Sequence, residues 1–157
     1  MSGSHFKGPV TSTNGFVGAV TGNVTGNVTG GVVGSPDSSQ STISGVAGAS
    51  NVCTVSVQLK DAAGNNLTKV TPFQVYSSSA ADGLTLASAA STGYSVASGG
   101  LSINNGAAVT TSIRCVSSAT GACTLSLTDT GKQTSYLVLV VGNGVKISSQ
   151  LTSGSYG

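Results

Sequence analysis

His5 is the only histidine in the chain, so a serine or cysteine nucleophile that needed an imidazole base would have to recruit it. It stands beside Phe6 and Lys7 in a polar stretch, away from every segment that reads as a strand. Carboxylates are equally sparse. Glutamate is absent, and Asp37, Asp61, Asp82 and Asp129 all fall in turn-like sequence, where aspartate commonly bonds its own backbone. Spacing alone leaves open a pair of them for glycoside hydrolysis, but turn duty accounts for each one. Cys53, Cys115 and Cys123 have no close Cys-x-x-Cys spacing and no histidine nearby, which argues against a zinc site. The glycine-rich repeats are not followed by Lys-Ser/Thr and open no helix, so neither a P-loop nor a dinucleotide fingerprint is present. The expectation is a protein that is not an enzyme, with no catalytic residue, no cofactor and no metal.

The elements that would position any such chemistry begin near Val52. In Cys53-Thr-Val55-Ser-Val57-Gln-Leu59 every odd residue is apolar and every even one polar, the alternation of a half-buried strand. Turn chemistry follows at Asp61-Ala-Ala-Gly64-Asn65-Asn66, and Val70, Phe73, Val75 and Tyr76 mark a second strand with Pro72 near its start. These two strands form a hairpin or a corner. Further alternating pairs are Leu84 with Leu86, Tyr94 with Val96 and Leu101 with Ile103, followed by Val109 to Cys115 and Cys123 to Leu127. Tyr136-Leu-Val-Leu-Val-Val141 is a continuous apolar run suited to a strand covered on both sides. Asn143-Gly144 then reads as a tight turn into a last strand with Val145 and Ile147. About seven short strands at ~8–12-residue spacing predict an immunoglobulin-like sandwich, with a jelly roll as the competing architecture. Cys115 and Cys123 flank Ser117-Ser-Ala-Thr-Gly121. They either pack as buried thiols, like Cys53, or face each other across a symmetric hairpin where oxidation could join them.

Residues 1–51 follow a different grammar. They are Gly, Ser, Thr, Asn and Val with almost no charge, and Val20, Val24, Val28 and Val32 recur every four residues through Thr-Gly-Asn and Thr-Gly-Gly. That period matches neither a helix face nor strand alternation, and glycine in every repeat opposes a helix. A plain spacer has no use for valines at fixed intervals or for Phe6 and Phe16. The segment is therefore expected to be an extended arm that becomes ordered on a partner's surface. Phe6, Val10, Phe16, Val20, Val24, Val28 and Val32 are its candidate contact residues, ahead of a sandwich domain over residues 52–157.

Composition narrows the partners. Charged residues are 6% of 157 and the net charge is +2, so solubility rests on hydroxyls and amides. The six cations are scattered singly, which leaves no basic stripe for nucleic acid or anionic lipid. No run approaches the roughly 20 apolar residues that span a bilayer, and no secretory signal opens the sequence, so synthesis in the cytoplasm and reduced thiols are expected. Asn23, Asn27 and Asn66 each start an Asn-x-Thr triplet, expected as a by-product of composition. A glycan site would need exposed aromatic platforms, and Tyr76, Tyr94, Tyr136 and Tyr156 are the only tyrosines; Tyr136 is expected to be buried.

The stretch Thr54-Val-Ser-Val-Gln-Leu-Lys-Asp-Ala-Ala-Gly-Asn-Asn-Leu67 resembles the opening of bacterial Ig-like domains. Gly121-Ala-Cys-Thr-Leu-Ser-Leu-Thr-Asp-Thr-Gly-Lys-Gln-Thr-Ser-Tyr-Leu-Val-Leu-Val140 looks like the late strands of small Ig-like proteins of tailed-phage virions. Phe6-Lys-Gly-Pro-Val-Thr-Ser-Thr-Asn-Gly-Phe-Val-Gly18 is similar to the start of small phage proteins found with head genes. The resemblance implies a decoration or cement protein on the capsid surface, with the major capsid protein as partner. A closed homo-oligomer, a homotrimer first, and weak contact with host-surface glycans go with it. The alternative is a tail- or fibre-associated or glycan-binding adhesion module.

Overall fold

The computed structural model describes residues 34–104, 109–142 and 144–157. Within them the chain is all-β: β1 (Thr42–Ala47), β2 (Val52–Gln58), β3 (Pro72–Ser78), β4 (Gly93–Ser98), β5 (Gly100–Ser102), β6 (Ser112–Ser117), β7 (Ala122–Thr128), β8 (Ser135–Val141) and β9 (Gly144–Leu151), then a 3-10 turn at Ser153–Ser155. Every pairing is antiparallel. The strands form a four-stranded sheet, β1-β2-β7-β4, and a five-stranded sheet, β5-β6-β3-β8-β9.

One core lies between them. Cys53, Val55 and Val57 of β2 and Cys123, Leu125 and Leu127 of β7 meet Phe73, Val75, Ile113, Cys115, Leu137, Leu139 and Val141 of the other sheet. Each set comes from alternate residues of its strand, because successive side chains point to opposite faces. Leu59 and Leu67, just beyond β2, are fully buried and close one end of the core.

The first two expected strands make a corner rather than a hairpin, since β2 and β3 lie in different sheets. The same is true of β6 and β7, so Cys115 and Cys123 meet across the core rather than across a hairpin ladder. Gly144 opens β9 rather than closing the turn before it, because it pairs directly with Val141; Asn143 lies outside the described residues. Tyr136 is half-buried, not buried.

Two expectations are corrected outright. Leu84 and Leu86 form no strand; they stand 86% and 63% exposed on a loop over residues 79–86. The folded region also reaches back before residue 52. β1 pairs with β2 along its whole length, and Pro36 bridges Asp61. Gly45 sits in mid-strand because a Cβ there would come within 2.7 Å of both Cys53 Sγ and Leu151 Cδ2, the close approach that glycine permits in a strand. Gly45→Val should therefore cost about 2–4 kcal/mol, read as a lower urea midpoint at unchanged slope; a loss under about 0.5 kcal/mol would show that β1 is not seated this tightly.

Candidate interaction face

The aspartates are structural. Asp61 accepts backbone N–H groups from Gly34, Ala63 and Asn65, and these donors, Gly34 first, hold its carboxyl below the usual range. It thereby ties the start of the described chain to the β2–β3 corner. Asp37 accepts from the Ser39 hydroxyl and the Ser39 and Gln40 N–H groups, which lower its pKa. Asp129 gathers Ser91, Gly131 and Gln133 N–H groups. Asp82 accepts the Leu84 N–H at 2.9 Å. No two of them converge on a common cleft, and among the described residues no group of His, Cys, Asp or Glu could hold a metal ion. His5 lies outside the described residues.

The three thiols are buried and unbonded. Burial pushes Cys53 up to about 11. Cys115 is raised by its hydrogen bond to Cys123 and by burial. Since all three are shut away from solvent and a thiol must be reached to react, an aromatic disulfide reagent at pH 8 should label none of them in the folded protein and all three in denaturant; rapid labelling of the native state would contradict this burial. Tyr94 is buried with Oη 2.5 Å from Ser77 Oγ. Tyr156 is also buried, and burial raises it to about 12. Neither can serve as an aromatic platform. Tyr76 is half-buried and donates its hydroxyl to the Gly83 carbonyl.

A broad concavity lies on the outer face of the five-stranded sheet. Arg114, Gln74 and Val140 are register partners across β6, β3 and β8, on the side away from the core residues Ile113, Cys115, Phe73 and Leu139. With Pro36, Lys69, Val70, Pro72 and Ile103 they line a groove of about 740 Å³. Val70, Ile103, Val145 and Leu101 around it are 45–65% exposed. Two residues along β8, Val138 is fully buried although it too faces outward. Gly83 covers it: a Cβ on Gly83 would lie 3.3 Å from Val138 Cγ2 and 3.2 Å from Ile147 Cδ1. Half of this sheet face is thus roofed by the 79–86 loop and half is an open apolar groove with two cations on its walls.

The loop is held in one shape. Ser79 N–H donates to the Thr85 carbonyl, Gly83 N–H to Ala80, and the Ser78 hydroxyl to Thr85. Sequence reasoning missed this face because its residues come from segments far apart in the chain. The arm residues named from the sequence, Phe6, Val10, Phe16, Val20, Val24, Val28 and Val32, all lie outside the described residues. No family model, curated protein or solved structure matches this chain.

Proposed function

We propose that this chain is a structural virion protein, a decoration or cement protein that attaches to a phage capsid through its N-terminal segment while an Ig-like sandwich projects. The observation that carries the reading is the split in design. Within the described residues the sandwich reaches back to Gly34 and Pro36, where Asp61 accepts the Gly34 N–H and bridges Pro36. Ahead of it runs a glycine-rich segment with valines every four residues that suits attachment. The Ig-like assignment draws on strand order: β1-β2-β7-β4 opposite β3-β8-β9 parallels the A-B-E-D and C-F-G sheets of that fold, with β5 and β6 added beside β3. The partner under this reading is the major capsid protein, on the outside of a virion assembled in a bacterial cytoplasm, and a closed homo-oligomer fits a symmetric shell.

Co-sedimentation with capsids stripped of accessory proteins tests it. The truncation should remove residues 1–33 only, since a cut at 50 would also delete β1 and leave the β2 edge unpaired. Full-length protein should pellet with capsids and the 34–157 form should stay in solution. Binding by neither form would overturn capsid attachment and favour a tail or adhesion role.

A further inference from the structure

We propose that the outer face of the five-stranded sheet is a self-association surface, on which the 79–86 loop of one copy seats in the groove of a second copy and receives that copy's loop in return. The proposal is independent of the capsid reading. It starts from where the exposed apolar surface lies. Among the described residues Val70, Leu84, Leu86, Leu101, Ile103, Val145 and Val46 are the large hydrophobics left exposed; all except Val46 belong to this face or to the loop on it. Apolar surface gathered on one side of a domain marks an interaction site.

Charge selects the occupant. The groove carries Lys69 and Arg114 and no carboxylate. Asp82, exposed at the tip of the loop, uses Oδ1 on the Leu84 N–H and keeps Oδ2 for a cation. Asp37, Asp61 and Asp129 are engaged in their own turns. The loop therefore offers a carboxylate beside two exposed leucines, and the groove offers two cations beside exposed Val70 and Ile103. Residues 1–33 contain no acidic residue and bring nothing to pair with Arg114 or Lys69.

Position selects the symmetry. Loop and groove adjoin on one face, with Val138 under the loop and Val140 in the groove separated by two residues of β8, about 6.7 Å. A two-fold axis between them turns the ridge of each copy onto the groove of the other, so each contact occurs twice, as in an isologous dimer. The hydrogen bonds within the loop keep it shaped before contact, which limits the ordering cost of association.

Sedimentation equilibrium of the full-length protein up to about 0.3 mM suits contacts at the small end of the interface range. Wild type should reach the mass of a dimer. Asp82→Arg alone and Arg114→Asp alone each set like charges together in both contacts and should weaken association at least about tenfold. Mixed in equal amounts they set opposite charges together in both contacts and should recover the dimer. Leu84→Lys, a residue held only through its backbone N–H, should also be monomeric, with thermal melting equal to wild type at dilutions where both are monomers. A wild-type monomer at the highest concentration, a mixture that stays monomeric, or charge variants that pair like wild type would each overturn the proposal. So would a trimer as the wild-type species. Dimerisation only after removal of residues 1–33 would mean that the chain's own N-terminal segment fills the groove, and would overturn it for the full-length protein.

Discussion

Gly93→Ala is expected to lower the unfolding free energy by about 3–5 kcal/mol, a large part of the ~5–15 kcal/mol of an ordinary domain. Two independent costs meet at this residue. Its φ is +92°, in a region that residues with a Cβ enter only under strain. The added methyl would also be driven against the backbone of the neighbouring segment, into the Val109 carbonyl and to 2.6 Å from Thr110 Cα. Neither is a flexible side chain that could swing aside. That segment is bonded on both sides of the glycine, Ala90 N–H to the Thr110 carbonyl and Tyr94 N–H to Val109, so relief would break one of those bonds. Urea unfolding should show a lower midpoint with the slope retained. Gly154→Ala is the control, because its nearest neighbour is the Thr152 hydroxyl oxygen at 3.7 Å; it should cost under about 0.5 kcal/mol. Equal effects at the two sites would show that the close approach at Gly93 is not fixed.

Strands whose two faces see different surroundings were legible in the sequence. Cys53, Val55 and Val57 and then Cys123, Leu125 and Leu127 alternate strictly with polar residues because only one face of the β2-β7 ladder meets the core. β1 was not legible. Its sequence, Thr-Ile-Ser-Gly-Val-Ala, buries only Ile43, and a mid-strand glycine reads as a break until Leu151 and Cys53 are seen pressing against it. Leu84 and Leu86 misled for the opposite reason: their alternation mimics a strand, yet both point into solvent from a loop tied by Ser78 and Tyr76. The run Tyr136–Val141 was expected to be covered on both sides; on its outer face that holds at Val138, under that same loop, and not at Val140, which lines the open groove. The groove had no local signature at all. Val70, Ile103, Arg114 and Val140 are each ordinary in the sequence, and they become a site only through the β5-β6-β3-β8 order, which periodicity does not encode. Fold class is written in local pattern, while the candidate site is written in topology.

Asp129→Ala is expected to cost about 2–4 kcal/mol at neutral pH, the range for losing several charge-assisted bonds from part-buried N–H donors at once. One carboxylate oxygen accepts the Ser91 N–H at 3.1 Å and the Gly131 N–H at 3.2 Å, and the other accepts Gln133 N–H at 3.0 Å. Asp129 N–H in turn donates to the Asn51 carbonyl. A single side chain thus joins the loop before β4 to the β7–β8 connection, beside the β1–β2 turn. Burial works to raise its pKa, but the Gln133, Ser91 and Gly131 donors outweigh it and hold the carboxyl below the usual value. The folded pKa is therefore below the unfolded one, near about 3.9. The resulting stability is fully present above about pH 5 and is lost as pH falls through the folded pKa. Asp129→Asn keeps the shape and one acceptor oxygen but carries no charge, so its deficit relative to wild type should shrink between pH 6 and pH 3. Urea midpoints of the two proteins at those pH values measure the difference directly. A deficit that stays constant or grows toward acid would mean that the Asp129 charge is not what holds these loops together, leaving shape and hydrogen-bond count as the cause.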